Sequence, residues 1–123
     1  MGINSTGSQE YLSEGPLFLA VKDILEDGSI NYDVADHLSV FRYNESPEIR
    51  LKNQDVLVTK DGTIGRIGFV DNLPKETRVN SSILVVRPSS AILPKFLFYY
   101  FREPKFQDIV KNKIAEIEYS FCL

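Results

Sequence analysis

The sequence predicts an α+β fold in one domain spanning 1–123, on three observations. Runs of strand formers occupy the N-terminal part and the middle, at Pro16–Val21, Asp55–Thr59, Phe69–Val70 and Ser82–Arg87. Apolar residues recur at helical spacing only from Leu93 onward, so the order is strands first and helices last. The 123 residues, 43% of them apolar, suffice for one core and are too few for two ordinary domains.

Taken in order, residues 1–15 are rich in Ser, Gly, Thr and Asn and read as an irregular N-terminal segment. Pro16–Val21 is brief, apolar and led by proline, which suits a buried strand better than a helix. Asp23–Asp27 reads as a helical turn closed by Gly28. Ile30 and Tyr32 then fall on one side of a short extended piece. Asp33–Ser39 carries no decisive pattern, and Phe41–Pro47 reads as an aromatic and basic loop entering a turn.

The centre of the chain is more specific. Lys52–Asp55 is a turn, and the unbroken apolar run Val56–Val58 predicts a strand buried on both faces. Gly62, Gly65 and Gly68 supply freedom for a sharp reversal and a close strand approach. Asp71–Pro74 is a second turn. Lys75–Ser81 is a polar edge leading into the Ser82–Arg87 strand. The short connections predict antiparallel pairing, because parallel neighbours need a crossover of a dozen or more residues. Pro94 then sits in the first turn of a helix whose Phe96, Leu97, Tyr99, Tyr100 and Phe101 pack onto the sheet. Pro104 ends it and starts a second helix, Lys105–Ile117, giving a helical part over 94–118.

Composition narrows the chemistry. Cys122 is the single cysteine and His37 the single histidine, which removes disulfide frameworks, Cys-cluster metal sites and His-pair metal sites, and predicts neither metal nor cofactor. His37 reads as a partly exposed residue without a chemical role. No apolar run approaches the roughly 18 residues of a membrane span, and the N-terminus does not resemble a signal peptide; a cytoplasmic protein with no membrane partner is expected. The glycine turn is not a nucleotide site. Its Gly62-x-x-Gly65-x-x-Gly68 spacing is not the dinucleotide fingerprint, no Lys-Ser/Thr pair follows, and the next element reads as a strand.

Charge is segregated along the chain. Residues 1–40 hold one basic and seven acidic side chains, whereas 41–123 hold thirteen basic and ten acidic. The net charge of −3 therefore leaves room for a positive face toward a polyanion, although a solvated surface explains the charges equally well.

Four blocks in order, Asp55–Arg66, Asn80–Pro88, Pro94–Phe101 and Phe106–Ile109, resemble the target-recognition domain of the specificity subunit of type I restriction-modification systems. The polar N-terminal stretch leading to an apolar strand and the Lys22-Asp23 pair is similar to that family's opening, so the likeness covers nearly the whole chain. The resemblance implies a twisted, partly barrel-like, mainly antiparallel sheet followed by C-terminal helices. It also implies non-catalytic, sequence-specific reading of a double-stranded DNA half-site, in partnership with modification (methyltransferase) and restriction subunits. A complete specificity subunit is similar to two such domains held apart by two long helices. This chain has one, and Lys111–Leu123 lacks the Gly-containing exit toward a spacer, which implies a fragment or a truncated or split subunit.

Duplex recognition needs cations and backbone amides for phosphates, and planar or amide side chains for base edges. The candidates, all expected on loops, are Arg42, Tyr43, Asn44, Arg78, Asn80 and Ser81 for base edges, and Lys60, Thr63, Arg66 and Lys75 for phosphates. Each has a plain alternative as solvated surface, and the Phe96–Tyr100 aromatics suit core packing better than base stacking. Two other classes compete. An enzyme lacks support, because the sequence has no methyl-donor loop, Pro-Pro-aromatic motif or nuclease-like carboxylate-Lys constellation. A protein-interaction module would use a sheet edge or the aromatic helix without binding DNA by itself.

Overall fold

The computed structural model describes residues 14–45, 50–61 and 63–109. Its strands are β1 (Leu17–Leu19), β2 (Asp36–His37), β3 (Val56–Thr59), β4 (Ile67–Phe69), β5 (Thr77–Val79) and β6 (Ile83–Val86). The helices are α1 (Val40–Glu45), α2 (Pro94–Arg102) and α3, described over 104–109. The architecture is α+β, with helices last and two three-stranded sheets, neither of them closed: β2-β1-β5 and β4-β3-β6.

β3 lies at the centre because alternate residues feed two cores. Leu57 packs with Leu17, Leu19, Ile24, Val70, Val79 and Ile83, whereas Val56 and Val58 pack with Ile67, Phe69, Val86 and Phe98 of α2. The continuous apolar run is the consequence. β3 is antiparallel to both neighbours, Leu57 facing Gly68 and Val85, as the short connections predict. A side chain at Gly68 would crowd Ile24, whose Cγ2 lies 3.1 Å from where its Cβ would sit, so glycine there permits the two layers to meet. At Gly65 a φ of +87° turns the chain back on itself.

Four local expectations are corrected. Asp23–Asp27 is not a helical turn: a 3-10 turn spans Val21–Asp23, closed by the Asp23 carboxylate accepting from the Ala20 N–H, and Ile24 then bridges Ile30 across a tight reversal. Phe41–Glu45 is not a loop but part of α1, where the Ser39 hydroxyl accepts from the Arg42 N–H at 3.2 Å and caps the first turn. Thr77–Val79 is not a polar edge but β5, paired in parallel with β1, its Thr77 and Val79 buried and only Arg78 turned outward. The fifty-odd intervening residues supply the crossover that parallel pairing requires. Finally, α2 buries Phe98 alone, with Leu97 and Phe101 half-buried, while Phe96, Tyr99 and Tyr100 are exposed.

The extended piece expected through Ile30 and Tyr32 stops short, since Tyr32–Val34 is a 3-10 turn capped by Asn31, whereas the expectations for the C-terminal part and His37 hold. α2 begins at Pro94 and ends at Arg102, capped by extended Glu103 just before Pro104, and α3 follows at once; the remainder of the expected second helix lies outside the described residues. Phe106 of α3 stacks on Phe101 at 4.4 Å between ring centroids, fastening the two helices at their corner. His37 is half-buried in β2.

Candidate nucleic-acid interface

Nine of the ten sequence-predicted residues separate into three groups. The first surrounds α1 and the outward side of β5. Arg42, Tyr43 and Asn44 lie on α1, and Arg78 reaches it by donating Nη1 to the Arg42 carbonyl while its guanidinium lies 6.0 Å from the Phe18 ring centroid. Arg50, which the sequence reading left out, bridges Arg78 backbone to backbone, donates Nη2 to the Asn44 Oδ1, and lies 4.4 Å over the Tyr43 ring. Tyr43 itself is buried, so it is the floor beneath Arg50 and not a surface contact.

Arg50 and Arg78 each carry a buried Nε–H that has no hydrogen-bond acceptor among the described residues. Neither guanidinium is ion-paired there. Those Nε–H groups are sealed from solvent, so a partner would be met by the other Nη of each fork, since Arg50 commits Nη2 to Asn44 and Arg78 commits Nη1 to the Arg42 carbonyl. Behind them Arg87 donates Nη2 to the Arg50 carbonyl at 3.0 Å and grips buried Asp55 through two bonds of 2.7 Å. The charge of Asp55 holds the Arg87 guanidinium above its ordinary value, chiefly through those hydrogen bonds.

The second group is the glycine turn. Thr59, fully buried at the end of β3, accepts from the Arg66 N–H at 2.9 Å and donates its hydroxyl to the Thr63 carbonyl. Arg66 donates Nη1 to the Ile24 carbonyl at 2.9 Å. Thr63 and Arg66 line an open cleft of about 300 Å³ whose other walls are Glu26, Ile64, Gly65, Ile67, Arg102 and Gln107. Arg102 donates to the carbonyls of Asp27 and Glu26 at 3.0 and 3.2 Å, and Gln107 donates to those of Gly65 and Phe101 at 3.0 and 2.8 Å. Ser29 donates to the Asp27 carboxylate from both hydroxyl and backbone, and these bonds, with the charge of Arg102 adding to them, hold the carboxyl below its usual range.

A third set joins the two loops beside them. Asn80 spends its Oδ1 on the Ser82 N–H at 2.9 Å, and Lys60 bonds Ser82 through its backbone, so Asn80, exposed Ser81 and half-buried Lys60 lie together at the start of β6. Lys75 stands apart, exposed ahead of β5. No protein-family model and no curated protein matches this chain. The site must therefore be judged on its chemistry.

That chemistry is cationic and amide-rich. Among the described residues no three His, Cys, Asp or Glu side chains gather to hold a metal ion, and no helix is long and apolar enough to cross a membrane. Sequence reasoning missed Arg50, Arg102, Gln107 and Glu26. For Arg50 the signal was its position two residues before the turn into β3; the other three are assembled only by the packing of α2 and α3 against the 24–28 reversal.

Proposed function

We propose that this chain is a non-catalytic double-stranded DNA recognition module, similar to the target-recognition domain of type I restriction-modification specificity subunits, which reads a half-site on behalf of modification and restriction subunits. The observation that carries this is the grouping of Arg42, Asn44, Arg50 and Arg78 around α1, with Arg50 and Arg78 each committing one Nη to that group, to Asn44 and to the Arg42 carbonyl. Arginine forks and a side-chain amide are the groups that read guanine and adenine edges, and they cost least when packed on rigid elements. The Lys60, Thr63 and Arg66 turn and Lys75 supply phosphate contacts.

The test is anisotropy binding of the chain to a randomised duplex pool at low and moderate salt, with the bound fraction sequenced. Salt-sensitive binding with an enriched short motif is expected. Arg78→Ala and Asn44→Ala should each relax one motif position at a cost of about 1–3 kcal/mol, whereas Lys75→Ala should weaken all sequences alike. Absence of salt-sensitive duplex binding at low salt refutes the reading for the isolated chain.

A second reading, a protein-interaction module, is favoured by one observation: α2 and the residues leading to it present Leu93, Phe96, Tyr99 and Tyr100, each at least half exposed, on the surface. Such a face suits a partner chain more than a duplex. Binding to a modification subunit that persists at high salt, without duplex binding, would favour it.

A further inference from the structure

We propose that the cleft between the glycine turn and the α2–α3 corner is an oxyanion site that holds one phosphodiester of the duplex backbone, with Arg66 and Arg102 as its two forks. This rests on the DNA reading and adds a site to it. The two arginines come from distant segments, yet both are tethered from behind by the same short reversal, through the carbonyls of Ile24, Glu26 and Asp27. Each guanidinium carries five N–H donors. Arg66 spends one of them in these bonds and Arg102 two, and neither is ion-paired among the described residues. Planar forks fixed in this way are matched to phosphate oxygens and lose little entropy on binding.

The rest of the wall fits the same ligand. Thr63 is exposed at the lining with a hydroxyl able to donate, while buried Gly65 shapes the turn with its N–H spent on the Thr59 carbonyl. Gln107 is a positioning residue, because its amide nitrogen is spent on the Gly65 and Phe101 carbonyls and so ties the turn to the helical corner. At about 300 Å³ the cleft is at the lower limit of ligand pockets, suited to one charged group and its immediate substituents and not to a whole nucleotide. Glu26 in the lining and Asp27, whose carboxylate is close enough to feel the charge of Arg102, stand against the two arginines. With two carboxylates beside two guanidiniums, a singly charged phosphodiester meets less repulsion than a doubly charged free phosphate.

The experiment has two arms. In the first, duplex affinity is measured against salt for the wild-type chain, Arg102→Ala, Arg102→Lys and Glu26→Gln, with melting curves to confirm folding. Arg102→Ala should weaken enriched and scrambled duplexes alike by about tenfold and reduce the salt slope by about 1. Arg102→Lys should keep the slope and lose only part of the affinity, and Glu26→Gln should tighten binding severalfold. In the second arm, dimethyl phosphate and inorganic phosphate are titrated into the isotopically labelled chain while the Arg66 and Arg102 Nε–H resonances are followed. Saturable shifts, stronger for dimethyl phosphate and lost in Arg102→Ala, are expected. Duplex binding with an unchanged slope in Arg102→Ala and no saturable shift overturns the cleft while leaving the DNA reading standing. Saturable shifts without duplex binding do the reverse.

Discussion

Removing Arg87 should cost the fold heavily for a side chain that reaches the surface, and the reason lies in the partner it leaves behind. Asp55 is 1% exposed, while Arg87 is 44% exposed. Arg87 supplies two bonds of 2.7 Å to the Asp55 carboxylate, whose only other donor among the described residues is the Lys52 N–H at 2.8 Å. Arg87→Ala therefore strands a buried carboxylate on one backbone bond. Hydrogen bonds to charged groups contribute about 1.5–3 kcal/mol each, and stranding a buried charge costs about 3–5 kcal/mol. Because water reaches the arginine side, about 3 kcal/mol is expected. Asp55→Ala leaves Arg87 free to hydrate, and the double variant strands nothing, so it should cost at least about 2 kcal/mol less than the sum of the singles. Urea denaturation monitored by circular dichroism measures all three. Additivity within about 0.5 kcal/mol, or a loss below about 1 kcal/mol for Arg87→Ala, would show that the pair carries no weight.

Two further outcomes follow from buried groups. Gly28→Ala should lose about 2–4 kcal/mol, since φ there is +94° and the new Cβ would come within 2.6 Å of the Phe98 Cε1; Phe98→Leu in the same chain should recover the packing share and leave only the backbone share. Tyr32→Phe should be neutral or stabilising by up to about 1 kcal/mol at pH 7, because the Tyr32 hydroxyl is buried with no partner among the described residues. Burial first, and the charge of Asp71 second, push that hydroxyl up to about 12. Stability is therefore untouched by this group below the unfolded value near 10 and falls as pH rises from there through the folded one. Wild type should decline above pH 10 by about 1–2 kcal/mol more than Tyr32→Phe in alkaline melting curves, after allowance for screening by water.

What the sequence disclosed depended on length and on range. Val56–Val58 was legible because a strand between two cores cannot alternate, and α2 was legible because Pro94 and Pro104 bracket a run long enough to show its period. β5 was not, since three residues give one polar side chain between two buried ones and no period to read. α1 was hidden for the same reason; its six residues are too few, although Ser39 three positions before Arg42 is an N-cap signal that could have disclosed it. The arginine candidates were chosen for their chemistry, and only the β1–β5 pairing and the Arg50–Arg78 bridge bring two of them, Arg42 and Arg78, to one place with Arg50. Arg102 and Glu26 are 76 positions apart, a juxtaposition no local pattern can announce.

One strand organises both arginine groups. Asp55 lies just before β3 and Thr59 at its end, four extended residues or about 13 Å apart, and both are buried polar anchors. Through Arg87, Asp55 fixes the Arg50 backbone and with it the α1 group; through its hydroxyl, Thr59 fixes Thr63 and Arg66 at the cleft. A rigid strand with an anchor at each end sets the distance between the two sites while letting either be loosened alone. Arg87→Ala, where it still folds, should therefore blur the enriched motif without altering the dimethyl phosphate shifts. Thr59→Val should do the opposite, because it frees the turn and leaves the Asp55–Arg87 tie intact. If both variants changed both readouts equally, the two arginine groups would be one site and the separation of base reading from phosphate gripping would fail.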